Sequence, residues 1–187
     1  LALSRLMGMD FQRIQFTPDV VPSDVTGFTM YQKETGTFVY RPGVVMCNFL
    51  LADEINRTSS KTQAALLEVM EEGRVTVDGE THEVPKPFVV LATENPVGSS
   101  GTQMLPESQL DRFMVSLSMG YPDHESLVEI LRDRQDTNPL DHAETVVHKE
   151  ELLKLQEQVQ KVYMDDRILS YVADLAEATR AHALITL

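Results

Sequence analysis

The feature that most constrains this chain is a largely apolar run, Met46-Cys47-Asn48-Phe49-Leu50-Leu51-Ala52, that ends abruptly in two carboxylates, Asp53 and Glu54. A short hydrophobic run of this kind suits a strand buried on both faces, as in a parallel sheet. Ligands of such sheets bind just beyond the carboxyl ends of the strands. Two acids placed there suit a magnesium ion and the activation of a water beside a nucleotide's phosphates. The same acids suit equally well the opening of a polar turn before the next helix, and this segment alone does not decide between the two.

The rest of the chain supplies a context. Leu1–Met7 reads as helix closed by Gly8, and Phe11–Phe16 as a strand, followed by a polar, turn-rich segment through Gly27. Residues 28–45 suggest a hairpin, with Phe28–Tyr31 and Thr37–Tyr40 joined through Glu34-Thr35-Gly36. After the buried strand, Ser60 and Gln63 offer a capping box for a helix over Lys61–Glu72, stopped by Gly73. Its apolar stripe is expected at Ala64, Leu67 and Met70, with Ala65, Val69 and Glu72 on another face. Arg74–Val77, Asp78-Gly79 and Glu80–Val84 form a strong hairpin signal. Phe88–Thr93 is a second apolar strand, ending in Glu94, Asn95 and Pro96.

A Gly/Ser loop at 98–104, a short helix from Pro106 to Arg112 and a strand at Met114–Met119 complete the alternating part. Beyond Tyr121-Pro122 the pattern is helical: Asp123–Arg134, Lys149–Val162 and Asp166–Leu184, with a polar connection at 135–148. Strands alternating with helices to about residue 120, then helices alone, imply an α/β domain over 1–120 and a small all-α lid over 121–187. No internal repeat or low-complexity segment is evident.

The chain of 187 residues is long enough for one good core plus a small appendage. Its formal net charge of −13 argues against non-specific binding to nucleic acid or anionic membranes, which needs basic surface. The single cysteine, Cys47, lies in the buried run, cannot form an internal disulfide and reads as a small core residue. A reducing compartment, the cytoplasm, is expected. No apolar stretch is long enough to span a bilayer. The five histidines show no metal-binding spacing.

Phosphoryl transfer to water needs a metal ligand, a base that polarises the water, a group sensing the γ-phosphate and a cation for developing charge. Asp53, Glu54, Asn95 and Arg112 suit those four roles. Each also has a simpler reading: Asn95 before Pro96 is a natural turn former, and Arg112 at a helix end complements the dipole.

Ile14-Gln15-Phe16-Thr17-Pro18-Asp19, Leu50-Leu51-Ala52-Asp53-Glu54-Ile55-Asn56-Arg57, Lys61-Thr62-Gln63 through Leu66-Leu67-Glu68, and Leu105-Pro106-Glu107 through Leu110-Asp111-Arg112-Phe113 resemble the MoxR family of AAA+ ATPases. The resemblance runs almost continuously from about residue 11 to 134 and more weakly through the lid. It implies a P-loop NTPase-like parallel sheet with flanking helices and inserted β-hairpins, acting on ATP with Mg²⁺. Asp53 and Glu54 then correspond to the Walker B pair, Asp53 serving the metal and Glu54 the attacking water. Asn95 corresponds to sensor 1, in contact with nucleotide or that water, and Arg112 to an arginine finger offered to the neighbouring subunit. The hairpins at 28–45 and 74–84 correspond to the helix-2 insert and the pre-sensor-1 hairpin, the elements expected to face substrate.

The resemblance also implies a ring, expected to be hexameric, that remodels or matures client proteins. Metal-cofactor insertion and partners with von Willebrand factor A-type domains belong to the same expectation. Two alternatives stand beside it: a nucleic-acid motor, disfavoured because hairpin 74–84 offers only Arg74 among Asp78, Glu80 and Glu83, and a non-hydrolysing ring or adaptor subunit. The family's P-loop, the strand before it and its sensor 2 arginine find no counterpart in these residues. The 187 residues are therefore expected to be part of a longer chain and, by themselves, to bind ATP poorly.

Overall fold

The computed structural model describes residues 2–95, 104–134 and 139–185. Ala2–Leu6 forms α1, and Gly8 turns the chain in the left-handed region (φ 55°) into β1, Phe11–Gln15. Pro22–Thr26, expected as turn, is a short helix, α2; Pro22 suits its first position, and Val21 N–H is capped by Asp24 Oδ2 at 2.9 Å.

The first hairpin, β2 (Gly27–Gln32) and β3 (Thr37–Pro42), is antiparallel with Tyr31 opposite Phe38. Its base is drawn tightly against α2. A Cβ on Gly43 would lie 2.2 Å from the Val25 carbonyl oxygen, so only glycine admits this approach. At the other end of the hairpin the aromatic pair Tyr31–Phe38 (ring centroids 5.3 Å apart) stands in solvent, Phe38 being 73% exposed.

The apolar run becomes β4, Phe49–Asp53, and a 3-10 turn over Ile55–Arg57 leads to α3, Ser60–Glu72. The cap of α3 is Ser59, not Ser60: its side chain accepts from Thr62 N–H at 3.3 Å. Gln63 has a different task, donating to the Ile55 carbonyl at 3.1 Å. The buried face of α3 is Thr62, Gln63, Leu66, Leu67 and Val69, and Ala64 is exposed. The expected stripe was misplaced because two polar residues are buried through hydrogen bonds, Thr62 Oγ1 donating to the Val20 carbonyl at 3.0 Å. Gly73 (φ 65°) closes the helix by donating to the Val69 carbonyl.

The second hairpin is β5 (Arg74–Val77) and β6 (Glu80–Glu83), with Asp78 and Gly79 both at positive φ, as a type I′ turn requires. The two hairpins touch. The Tyr40 ring stacks on His82 with centroids 3.8 Å apart and planes within 7°, while Tyr40 Oη donates to the Thr26 carbonyl at 2.6 Å.

Val89–Ala92 forms β7, and the main sheet is parallel in the order β1-β4-β7, with Gln15 opposite Asp53 and Ala52 opposite Ala92. Ile14, Leu50 and Ala52 join Phe16, Val25, Val45, Cys47, Ile55, Leu66, Leu67 and Val69 in one core. Each fully buried aliphatic side chain there is worth about 1.5–3 kcal/mol. The opposite face differs from the expectation of burial on both sides. Leu51 is half-buried, and Leu91, opposite it, is 47% exposed. Asp53 emerges on this less covered face.

Glu107–Leu110 is α4. Met114–Met119, expected as a strand, pairs with no described strand, and Met114 and Met119 are 97% and 99% exposed. Alternating apolar residues favour extended backbone, but a strand exists only where a neighbour supplies its hydrogen bonds. The Gly/Ser loop at 98–104 lies, Met104 apart, outside the described residues.

The helices that follow are α5 (His124–Asp133), α6 (Lys149–Gln160) and α7 (Asp166–Ala181). Asp123 and Asp165 cap α5 and α7 by accepting from Ser126 and Arg167 N–H. Among their described residues none is buried. Within the first of the two compact units, Leu1–Glu150, the connection before α6 is bonded to α1: Val146 N–H donates to the Leu6 carbonyl at 2.8 Å. The second unit is Glu151–Leu187.

Candidate functional site

The carboxyl end of β4 carries Asp53 and Glu54 side by side in sequence but in different backbone states. Asp53 ends the strand, while Glu54 lies at φ 54°, ψ 48°. A non-glycine residue there carries roughly 1–2 kcal/mol of strain. The chain turns at that point into Ile55–Arg57.

What holds the strained residue is β7. Ile55 N–H donates to the Thr93 carbonyl and Thr93 N–H to the Ala52 carbonyl, both at 3.0 Å, continuing the parallel ladder past its last strand residue. The Thr93 hydroxyl then accepts from Glu54 N–H at 2.9 Å and donates to Asp53 Oδ1 at 2.5 Å.

Strand β1 addresses both acids from the other side. Side chains alternate along a strand, so Arg13 and Gln15 share one face, and Gln15 stands opposite Asp53. Arg13 Nη2 reaches Asp53 Oδ2 at 2.6 Å, and Gln15 Nε2 donates to Glu54 Oε2 at 3.3 Å. Arg57 Nη1 meets the same Glu54 oxygen at 2.7 Å. The hydrogen bond from Thr93, then that from Arg13, hold the Asp53 carboxyl below its ordinary value. Arg57 first, then Gln15, do the same for Glu54, with a further contribution from the Asn95 side chain. Both acids are therefore ionised throughout the neutral range.

Asn95 follows β7, one residue beyond Glu94, and is anchored by a buried amide. Asn56, 0% exposed, donates from Nδ2 to the Asn95 carbonyl at 3.1 Å and accepts from Asn95 N–H at 3.3 Å. Asp53, Glu54 and Asn95 thus meet at the ends of two neighbouring parallel strands, where such sheets bind ligands. Arg112 is placed elsewhere: it pairs with Glu71 of α3 at 3.2 Å, beside a shallow cleft also lined by Leu67, Glu68 and Gln109.

Sequence reasoning did not single out Thr93, Asn56, Arg13, Gln15 or Arg57. The first two had a signal in retrospect, being polar residues next to apolar strand ends; the last three are ordinary surface residue types until the strand register is known.

Among the described residues no group of three or more His, Cys, Asp or Glu converges. Magnesium in nucleotide sites takes one or two carboxylates and completes its shell with water and phosphate, so a lone Asp53 carboxylate fits that habit and not an all-protein cage. Each Asp53 oxygen has one partner in this network and retains acceptor capacity. The cation of the second hairpin, Arg74, is paired with Glu72 at 2.8 Å. Among the described residues no helix is long and apolar enough to cross a membrane.

A sequence model of the ATPase family associated with various cellular activities (AAA) matches residues 1–115. The chain is 51% identical over 186 residues to the uncharacterized protein YeaC of Bacillus subtilis, covering all of this chain and 58% of YeaC. It is 42% identical over 177 residues to the chaperone MoxR1 of Mycobacterium tuberculosis, covering 95% of this chain and 46% of MoxR1. The chain thus spans about half the length of these relatives. A crystal structure from Cytophaga hutchinsonii, of a protein described as a candidate ATPase, superposes with a TM-score of 0.82 at 41% identity, over 95% of this chain and 54% of that one. The parallel sheet, the acids at its strand ends and these matches agree: the chain belongs to the MoxR family of AAA+ ATPases.

Proposed function

We propose that the protein hydrolyses ATP and couples the hydrolysis to chaperone-like remodelling or maturation of client proteins. The observation that carries this reading is the meeting of Asp53, Glu54 and Asn95 beyond the carboxyl ends of β4 and β7. In it, Asp53 holds Mg²⁺, which when bound neutralises phosphate charge. Glu54 orients a water and takes up its proton as that water's oxygen bonds to the γ-phosphorus and the bond from that phosphorus to the β–γ bridging oxygen breaks, the electron pair leaving with ADP. Asn95 hydrogen-bonds to that water or to the γ-phosphate. Arg57 and Gln15 both donate to Oε2, so they hold the carboxylate by one oxygen while its second, Oε1, can accept from the water.

Arg112 serves a neighbouring protomer's nucleotide and leaves Glu71 to do so, within a hexameric ring. Residues 121–187 form the lid, and the exposed Tyr31–Phe38 end of the first hairpin is the client-facing candidate. MoxR1 is named a chaperone, which supports client remodelling. Metal-cofactor insertion, von Willebrand factor A-type partners and a cytoplasmic site belong to the same proposal.

The test is Glu54→Gln in the complete protein. Removing a positioned general base costs about 10²–10⁴-fold in turnover, while ATP binding, measured by calorimetry, is retained. Turnover within tenfold of the parent removes Glu54 from its role.

A further inference from the structure

The Thr93 side chain touches both acidic residues, the carboxylate of one and the backbone of the other. Its hydroxyl has one hydrogen and one accepting direction in use, and both are spent on the candidate site: Oγ1–H on Asp53 Oδ1 (2.5 Å), the lone pair on Glu54 N–H (2.9 Å). Its own backbone N–H and C=O are bonded to Ala52 and to Ile55, either side of the acid pair. Four hydrogen bonds from the single residue that follows β7 therefore grip the segment in which β4 turns into the left-handed Glu54. A left-handed non-glycine residue persists only where its surroundings over-determine it. The hydroxyl is the only side-chain part of that grip, and the only part coupling the Asp53 carboxylate to the Glu54 backbone.

We propose that Thr93 is a positioning residue for hydrolysis: its hydroxyl fixes the metal-binding carboxylate of Asp53 and the backbone of the water-polarising Glu54 in one mutual geometry. The inference rests on the roles given above to Asp53 and Glu54. Threonine suits the position on two counts. Its β-branch fits the end of a strand, and its hydroxyl donates and accepts at once, which neither valine nor alanine does. Valine in its place keeps the shape and all the backbone bonds and deletes only the bridge. Serine keeps the bridge and loses a methyl group.

The experiment compares Thr93→Val, Thr93→Ser and Glu54→Gln in the complete protein. Residues that orient a metal ligand from outside its coordination shell typically cost 10–100-fold when lost. Thr93→Val is expected to lower kcat by that factor with the KM for ATP within about threefold of the parent, and Thr93→Ser to restore kcat to within about threefold. Hydrogen exchange at the Glu54 amide, read by mass spectrometry without nucleotide, is expected to accelerate about five- to tenfold in Thr93→Val, the loss of one ordinary hydrogen bond. Serine is expected to reverse this as well.

Unchanged kcat in Thr93→Val, or unchanged exchange at Glu54, overturns the proposal. So does a loss of kcat accompanied by a collapse of the melting temperature that serine fails to rescue, which would make Thr93 a folding residue. The two readings fail separately. Normal turnover in Glu54→Gln removes the proposed function, whereas an inactive Glu54→Gln beside a fully active Thr93→Val removes only the role of Thr93.

Discussion

Replacing Asn56 tests whether the candidate site is held together by one buried amide. Asn56 makes two hydrogen bonds with the Asn95 backbone, one in each direction, and its side chain has no solvent contact. Each such bond contributes about 0.5–1.5 kcal/mol net, so Asn56→Ala is expected to cost about 1–3 kcal/mol. Asn95 itself is exposed as a residue, which favours the lower half of that range. Asn56→Asp is the sharper variant. It keeps an acceptor for Asn95 N–H but turns the donor into a carboxylate oxygen facing the Asn95 carbonyl, within a buried site. That exchange costs at least as much as alanine, about 2–4 kcal/mol, because the new charge has no partner there. The assay is urea unfolding of the 187-residue chain followed by far-UV circular dichroism, since the chain has no tryptophan for fluorescence. The midpoint should fall with an unchanged slope. Stability of Asn56→Ala within about 0.5 kcal/mol of the parent, or Asn56→Asp more stable than Asn56→Ala, refutes the reasoning.

Two further outcomes follow from the local chemistry. Ser59→Ala removes the side-chain acceptor at the start of α3 and should cost about 1 kcal/mol, whereas Ser60→Ala, on the neighbouring serine, should be nearly neutral; urea midpoints of the pair decide which serine caps. Burial pushes the Cys47 thiol up to about 11, so its alkylation by iodoacetamide, followed by peptide mapping, should stay slow at pH 8–9 and rise only towards pH 11. The sign for stability follows from linkage. Between about 9 and 11 the folded state keeps the Cys47 proton that the unfolded state has lost, so this group's contribution is full below 9 and declines as pH rises through 11.

How much of this was legible in sequence depended on whether a residue's role is local. The turn at Asp78-Gly79 was readable because two successive positive φ values select those residue types whatever surrounds them. The run ending at Asp53 was readable because a parallel strand declares itself by hydrophobicity. By contrast, the buried face of α3 was misread, since Thr62 and Gln63 are buried by bonds to Val20 and Ile55, residues distant in the pattern. Adjacent serines at 59 and 60 offer the same cap signal, and only the backbone angles separate them. Met114–Met119 has the alternation of a strand but no described neighbour to pair with. Of the candidate site, the acids and Asn95 were visible as polar residues closing apolar runs. Thr93 and Asn56 carried the same kind of signal, but what they bond to shows only once β7 is set against β4.

The arginines paired with the acids have a consequence for how a ligand arrives. The chain as a whole carries −13, a field that repels any polyanion approaching from afar. At the strand ends, however, Asp53 is matched by Arg13 and Glu54 by Arg57, so two of the three acids there, Glu94 being the third, stand beside a cation. The long-range part of the repulsion is screened by salt, with a Debye length of about 8 Å at physiological ionic strength, while close pairs such as these are screened much less. Moderate salt should therefore speed the encounter with a nucleotide instead of slowing it, the reverse of the behaviour of a site that recruits anions with exposed basic charge.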